Sequence, residues 1–247
     1  MIINDYKIIK DGYMKIKVTK NGPYIVTGNV PIYKETLFCD EEKASIGFKD
    51  KEKIESSETY SLCRCGNSAN KPFCDGTHLK SNFDGTEVVS KKFYEENLTE
   101  FETDKLILYD AIEVCDHSRF CQGGGGIRNL IEKGDDESIA QAKEEAANCP
   151  SGRLKILDKE TGETTERDYD KEIVIISDSC KDFKGPIWVK GGIAIEAENG
   201  DLYEIRNRQS LCRCGKSKHK PFCGGNHWLS EEEEADFRKR WNLKELD

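Results

Sequence analysis

The stretch SLCRCGNSANKPFCDGTH at residues 61–78 returns as SLCRCGKSKHKPFCGGNH at residues 210–227, with thirteen of eighteen positions identical and no gap. The likeness continues upstream, where GPYIVTGNV at 22–30 matches GPIWVKGGI at 185–193, each followed by another apolar pair. The copies lie 163 residues apart there and 149 apart at the cysteines, so copy one carries 14 additional residues. The charged stretch at 41–57 is the place for them. A chain duplicated in this way is expected to pack its halves about a pseudo-two-fold axis.

Around the repeat the pattern is mostly strand. Residues 15–18 (KIKV) alternate polar and apolar, and 23–30 and 186–195 are β-rich runs punctuated by glycine. Residues 171–177 and 202–205 add two further strand candidates. A helix is predicted over 136–148, acidic at its start, alanine-rich, and ending before Pro150. A second, opening on the capping-box pattern SEEE at 230–233, is predicted to about Leu243. Residues 91–156 have no counterpart in either copy and read as an inserted module. The expected fold class is α+β and β-rich, a duplicated β unit with pseudo-two-fold symmetry and an inserted small α/β module. Its expected divisions are 1–90, 91–156 and 157–247.

Composition narrows the function. Of 247 residues 36% are hydrophobic and 34% charged, with 38 basic against 47 acidic side chains and a net charge of −9. Phosphate neutralisation needs a basic stripe, and none is visible, so nucleic acid is not an expected partner. The longest apolar runs, such as LILY at 106–109 and IVII at 173–176, fall far short of the ~20 residues that span a bilayer. The N-terminus has no continuous apolar run of the kind a signal peptide needs, so a soluble cytoplasmic protein is expected. In a reducing compartment, eleven cysteines point to metal ligands or redox groups rather than disulfides. Cys39 and Cys180, outside every motif, read as structural.

Each repeat presents Cys-x-Cys, eight residues, Cys, three residues, His: Cys63, Cys65, Cys74 and His78, then Cys212, Cys214, Cys223 and His227. Three thiolates and an imidazole complete a four-ligand set for a soft or borderline metal. A buried cluster of cysteines acting as small hydrophobes does not suit these polar, lysine-flanked segments. Cys₃His is also an accepted zinc set, although one residue between the first two thiols is tighter than zinc knuckles use. Spacing alone leaves zinc and iron–sulfur open.

The two segments resemble the CDGSH iron–sulfur domain, the mitoNEET-like family whose pattern is Cys-x-Cys-x₂-Ser/Thr-x₃-Pro-x-Cys-Asp-Gly-small-His. Ser68, Pro72, Cys74, Asp75, Gly76, Thr77 and His78 fill it in copy one. In copy two Ser217, Pro221, Cys223, Gly225 and His227 fit, while Gly224 and Asn226 depart from it. The resemblance implies one [2Fe–2S] cluster per copy, two in all. Cys63 and Cys65 would hold the inner iron and Cys74 and His78 the outer one, with Cys212, Cys214, Cys223 and His227 in the same roles in copy two. Single-motif relatives form intertwined β-rich homodimers, so this chain resembles both halves fused and is expected to work as a monomer. Because Gly224 lacks the carboxylate of Asp75, the second site is expected to be the more labile.

The middle segment, with CDHSRFC at 115–121 and NCPSG at 148–152, resembles a divergent ferredoxin-like segment found between paired CDGSH motifs. Cys115, His117, Cys121 and Cys149 are the residues a third metal would use. Without the dense Cys-x₂-Cys run of a ferredoxin, the reading favours a scaffold that carries no cluster. The run Gly123 to Gly126 lacks a phosphate-loop ending and reads as a turn. The acidic run at 231–234 reads as a solvated helix start.

The expected function is electron transfer or cluster transfer to a redox or cluster-accepting protein. One rival is a zinc-binding structural or interaction module without a redox role. The other, an enzyme using the clusters internally, lacks a readable nucleophile–base pair, flavin or nicotinamide site, or substrate pocket.

Overall fold

Alternation in the sequence becomes alternation of burial at once. In β1 (Lys15–Val18) Ile16 and Val18 are buried between half-exposed lysines, and in β2 (Tyr24–Thr27) Tyr24 and Val26 turn inward. The computed structural model describes residues 14–180 and 183–225 and, beyond these, only Glu232, Glu233, Ala235 and Lys239. Those four positions are helical, and they are all that is described of the expected C-terminal helix and its acidic start. His227 and Asn226 lie outside the described residues.

The first repeat continues through β3 (Ile32–Cys39), β4 (Ser45–Ile54) and β5 (Tyr60–Leu62). A short helix α1 (Phe93–Glu96) opens the middle segment, followed by β6 (Thr99–Glu102), β7 (Leu106–Asp110), α2 (Ile127–Lys133), α3 (Asp136–Asn148) and β8 (Leu154–Asp158). The second repeat supplies β9 (Glu172–Asp178), β10 (Phe183–Lys190), β11 (Ala194–Glu196) and β12 (Arg208–Leu211).

Neither repeat closes a sheet by itself. One sheet runs β11-β1-β2-β5 and the other β12-β10-β9-β3-β4. The second repeat lends β11 to the first sheet, parallel to β1 with Ile16 opposite Ile195. The first repeat lends β3 to the second sheet, parallel to β9 with Ile32 opposite Ile173. This reciprocal exchange is the pseudo-two-fold axis made physical. Ile16, Val26, Ile32, Ile173, Ile187 and Ile195 meet in one core fed by both halves.

The additional residues of copy one are the β3–β4 hairpin, which replaces a tight turn after β11 where Glu196 bridges Leu202. β4 is an edge strand whose Lys49, Asp50, Lys51, Glu52 and Lys53 are exposed, a charge pattern that discourages edge-to-edge association. The strand expected at 202–205 is therefore reduced to that single bridge. Tyr203 is drawn into the core while Ile205 stays 55% exposed.

Cys39 and Cys180, read as structural, form a disulfide, although the cysteine content pointed to metal ligands or redox groups rather than disulfides. The cause is the β3–β9 pairing, whose register ends at Leu37 opposite Asp178 and leaves the two Cα atoms 6.2 Å apart. The bond staples one repeat to the other.

The inserted module is α/β as expected. Its sheet β6-β7-β8 buries Leu106, Leu108, Leu154 and Ile156 against Leu130 and Ile131 of α2 and Ala142 and Ala146 of α3. Asp135 caps α3 by accepting from the Ser138 amide at 2.9 Å. The glycine run is a tight turn that delivers the chain into α2. No helix among the described residues is long and apolar enough to cross a membrane.

Candidate metal centre

Each ligand loop hangs from the end of a short strand and is tied back to it by the same bonds. After β5, the Cys63 amide donates to the Pro72 carbonyl (2.8 Å) and the Cys74 amide to the Ser61 carbonyl (2.9 Å). After β12, the Cys212 amide donates to Pro221 (2.9 Å) and the Cys223 amide to Ser210 (2.8 Å). The motif serine closes the turn. The Ser68 hydroxyl donates to the Phe73 carbonyl at 2.7 Å and accepts the Asn70 amide at 3.0 Å. Ser217 does the same with Phe222 and His219, at 2.7 and 3.0 Å. These bonds bring the third cysteine back beside the first two.

In the first loop the four expected ligands fall into two pairs. Cys63 Sγ lies 3.9 Å from Cys65 Sγ, and Cys74 Sγ lies 3.4 Å from His78 Nδ1. Backbone amides of Asn67 and Gly76 donate to Cys65 Sγ (3.4 Å) and Cys74 Sγ (3.5 Å). Among the described residues, no three His, Cys, Asp or Glu side chains converge on the position of a single ion. In the second loop Cys212 Sγ and Cys214 Sγ are 3.7 Å apart, and Cys223 is 2% exposed. The hydrogen bond between the two thiols lowers the Cys212 pKa, with the amides of Ser217, Cys214 and Gly215 helping against burial.

Asp75 braces the first loop as its position suggests. Its carboxylate accepts the Ala69 amide at 2.8 Å and the Thr77 amide at 3.0 Å. The Thr77 hydroxyl, then these amides, hold it well below the usual carboxylate range. Gly224 offers nothing comparable. Burial, however, runs against the expected lability: Cys74 is half-buried and Cys223 is buried.

Three supporting side chains were not singled out in the sequence. Arg64, 2% exposed, donates to the carbonyls of Thr19 (3.1 Å) and Gly85 (2.5 Å) and lies over the rings of Tyr24 and Phe83. Arg213, its counterpart, donates to Gly185 (2.6 Å) and Ile176 (2.7 Å), and burial lowers its pKa to about 10. Identity of this arginine in both Cys-Arg-Cys motifs was the available signal. Tyr24, from the first repeat, directs its hydroxyl at the second loop, within 2.8 Å of the Cys212 carbonyl and 2.9 Å of Pro221. The loops also touch each other. A Cβ on Gly66 would stand 2.7 Å from the Cys214 carbonyl oxygen, and one on Gly215 2.8 Å from that of Cys65. Only glycine permits that approach.

In the middle module, Arg153 makes a two-pronged ion pair with Asp110 (2.6 and 2.8 Å) and reaches Cys115 Sγ at 3.5 Å and Cys121 Sγ at 4.0 Å. Burial pushes the Cys115 thiol up to about 12 and raises Cys121 as well. Cys149 follows α3, with its sulfur 3.5 Å from the Ser151 hydroxyl. The His117 amide donates to the Cys115 sulfur, while its ring lies against Gly225 of the second ligand loop. His219 of the second loop is buried, 3.5 Å from Glu113 of the module and edge-on to Phe93.

Two family models match the chain. That described as iron-binding zinc finger CDGSH type matches residues 21–79 and 184–228, and a divergent 4Fe–4S mono-cluster model matches 101–159. The fold and loops thus define an iron–sulfur binding protein of the CDGSH class. Its two such regions flank a divergent 4Fe–4S segment, an arrangement that matches the tandem CDGSH form. No curated protein and no solved structure matches it.

Proposed function

We propose that each ligand loop holds a [2Fe–2S] cluster and that the protein passes single electrons or whole clusters to a partner protein. In the first loop Cys63 and Cys65 hold one iron and Cys74 and His78 the other; Cys212 with Cys214, and Cys223 with His227, do so in the second. The observation that carries this reading is the division of the first loop's ligands into two pairs. A lone zinc ion would gather all four into one tetrahedral shell, whereas two bridged irons need two ligands each. When bound, such a cluster supplies a one-electron couple tuned by its ligands, hydrogen bonds to sulfur and exposure. The chain's part is to keep Nδ1 of His78 beside Cys74 Sγ, where the two would hold one iron, with the imidazole proton then on Nε2. The Asn67 and Gly76 amides offset the charge on two of the sulfurs. A reducing, cytoplasmic setting suits the nine free cysteines, but the Cys39–Cys180 disulfide is a bond rarely kept there.

The test is a visible spectrum with iron, acid-labile sulfide and zinc analysis of freshly purified protein. About four irons and four sulfides are expected, two of each per cluster. Stoichiometric zinc without visible absorption overturns the reading. The match to a divergent 4Fe–4S model, with Cys115 and Cys121 both beside Arg153, favours a second reading that adds a third cluster on Cys115, Cys121 and Cys149. That reading raises the iron count to about eight.

A further inference from the structure

The two ligand loops are near-copies in sequence but not in surroundings, and one pair of equivalent glycines measures the difference. A Cβ placed on Gly76 meets nothing within 4 Å, whereas one placed on Gly225 overlaps the His117 ring. The face that is open in the first loop is covered in the second. The cover is the middle module.

Four further contacts hold it there. The Ser210 hydroxyl, at the foot of the second loop, donates to Asp116 at 2.5 Å, and Asp116 is 1% exposed. His219 of the loop faces Glu113 at 3.5 Å. Phe222 stacks on Phe93 with centroids 6.5 Å apart. Arg208 of β12 donates to the carbonyls of Ala146, Ala147 and Cys149 at 2.8–2.9 Å, capping the end of α3. Phe73, by contrast, is only partly buried, and Leu79, just past the first loop's histidine, is 80% exposed.

We propose that the module is a fixed internal cover of the second site, with His117 as the positioning residue that holds the ligand loop closed, so that the first site alone exchanges with an outside partner. The proposal rests on the cluster reading above. The second cluster is retained by the protein, and the first is the one handed over or contacted. Where the first loop relies on Asp75 in solvent, the module buries Cys223 and sets its own carboxylate, Asp116, on the Ser210 hydroxyl at the foot of the second loop.

Two measurements on the full chain decide it. Amide hydrogen exchange, which needs no knowledge of the cluster, should be about tenfold slower for peptides covering 219–225 than for those covering 70–76. His117→Ala should erase that difference by speeding only the second loop, and His117→Phe, which keeps a ring over Gly225, should restore it. On the coloured protein, a ferrous chelator should bleach half of the absorbance quickly and half slowly. Cys74→Ser should leave only the slow half, and His117→Ala should speed it. Equal exchange in the two loops, or uniform bleaching, overturns the proposal while the clusters remain. A protein that holds no cluster overturns the cluster reading, and with it the second cluster's retention. Because the wild-type loops are compared directly, a His117→Ala chain that does not fold leaves the proposal to be supported or overturned by that comparison.

Discussion

Single atoms around the ligand loops set how firmly each site is held. Tyr24 reaches from the first repeat to two carbonyls of the second loop, and burial raises its phenol pKa, so it stays a neutral donor. Tyr24→Phe leaves the Cys212 carbonyl without that donor and should cost about 1–3 kcal/mol in denaturant unfolding, with the second loop's amides the most affected. An unchanged midpoint would show that the bond contributes nothing. Asp75 acts differently because its carboxyl is depressed. Its bracing is fully present above the unfolded carboxylate pKa and is lost only as pH falls through the still lower folded value. Across mildly acid pH, then, Asp75 is a constant, and protons compete for the histidine ligand first. His78→Cys should slow acid bleaching of the first cluster and lower its reduction potential, since a thiolate adds negative charge. Asp75→Asn should instead speed bleaching by a similar factor at every pH from neutrality to mild acid. If His78→Cys bleaches as fast as the parent, histidine is not the labile ligand.

At the scale of elements, the inserted helix α3 carries a titration of its own. Glu145 is 7% exposed and accepts Gln141 at 3.0 Å, and burial raises its pKa to about 7. A carboxyl raised above its unfolded value is a stabilising neutral group in acid and an increasing liability as pH climbs from the unfolded toward the folded pKa. Glu145→Gln should therefore raise the melting temperature at pH 8 and leave it near the parent's at pH 5; a gain of the same size at both would refute the assignment. The elements also separate what local sequence can say from what it cannot. β1 was legible because one face is apolar, β9 because both are, and α3 because its acidic start, alanine-rich composition and the following Pro150 mark it. The charged stretch of copy one was legible as an insertion but not as a strand, since an edge strand needs no apolar face and Lys49 to Lys53 have none. Leu202 to Ile205 misled because local periodicity carries no information about a missing partner strand.

Across the whole molecule, the repeat made the ligands legible and hid the asymmetry. Strand exchange, the Cys39–Cys180 bond and the seat of His117 on Gly225 are all contacts between residues more than 100 apart, which no local pattern encodes. One consequence crosses the pseudo-two-fold axis. Gly66→Ala, made in the first loop, would press on the Cys214 backbone and should loosen both clusters rather than one. The central claim is that each loop carries its own two-iron cluster, and it is tested most directly by iron and sulfide analysis of Cys74→Ser beside the parent. The account predicts that the variant loses about two irons and two sulfides while the second loop keeps its own. Loss of all iron, or stoichiometric zinc in both proteins, would contradict it.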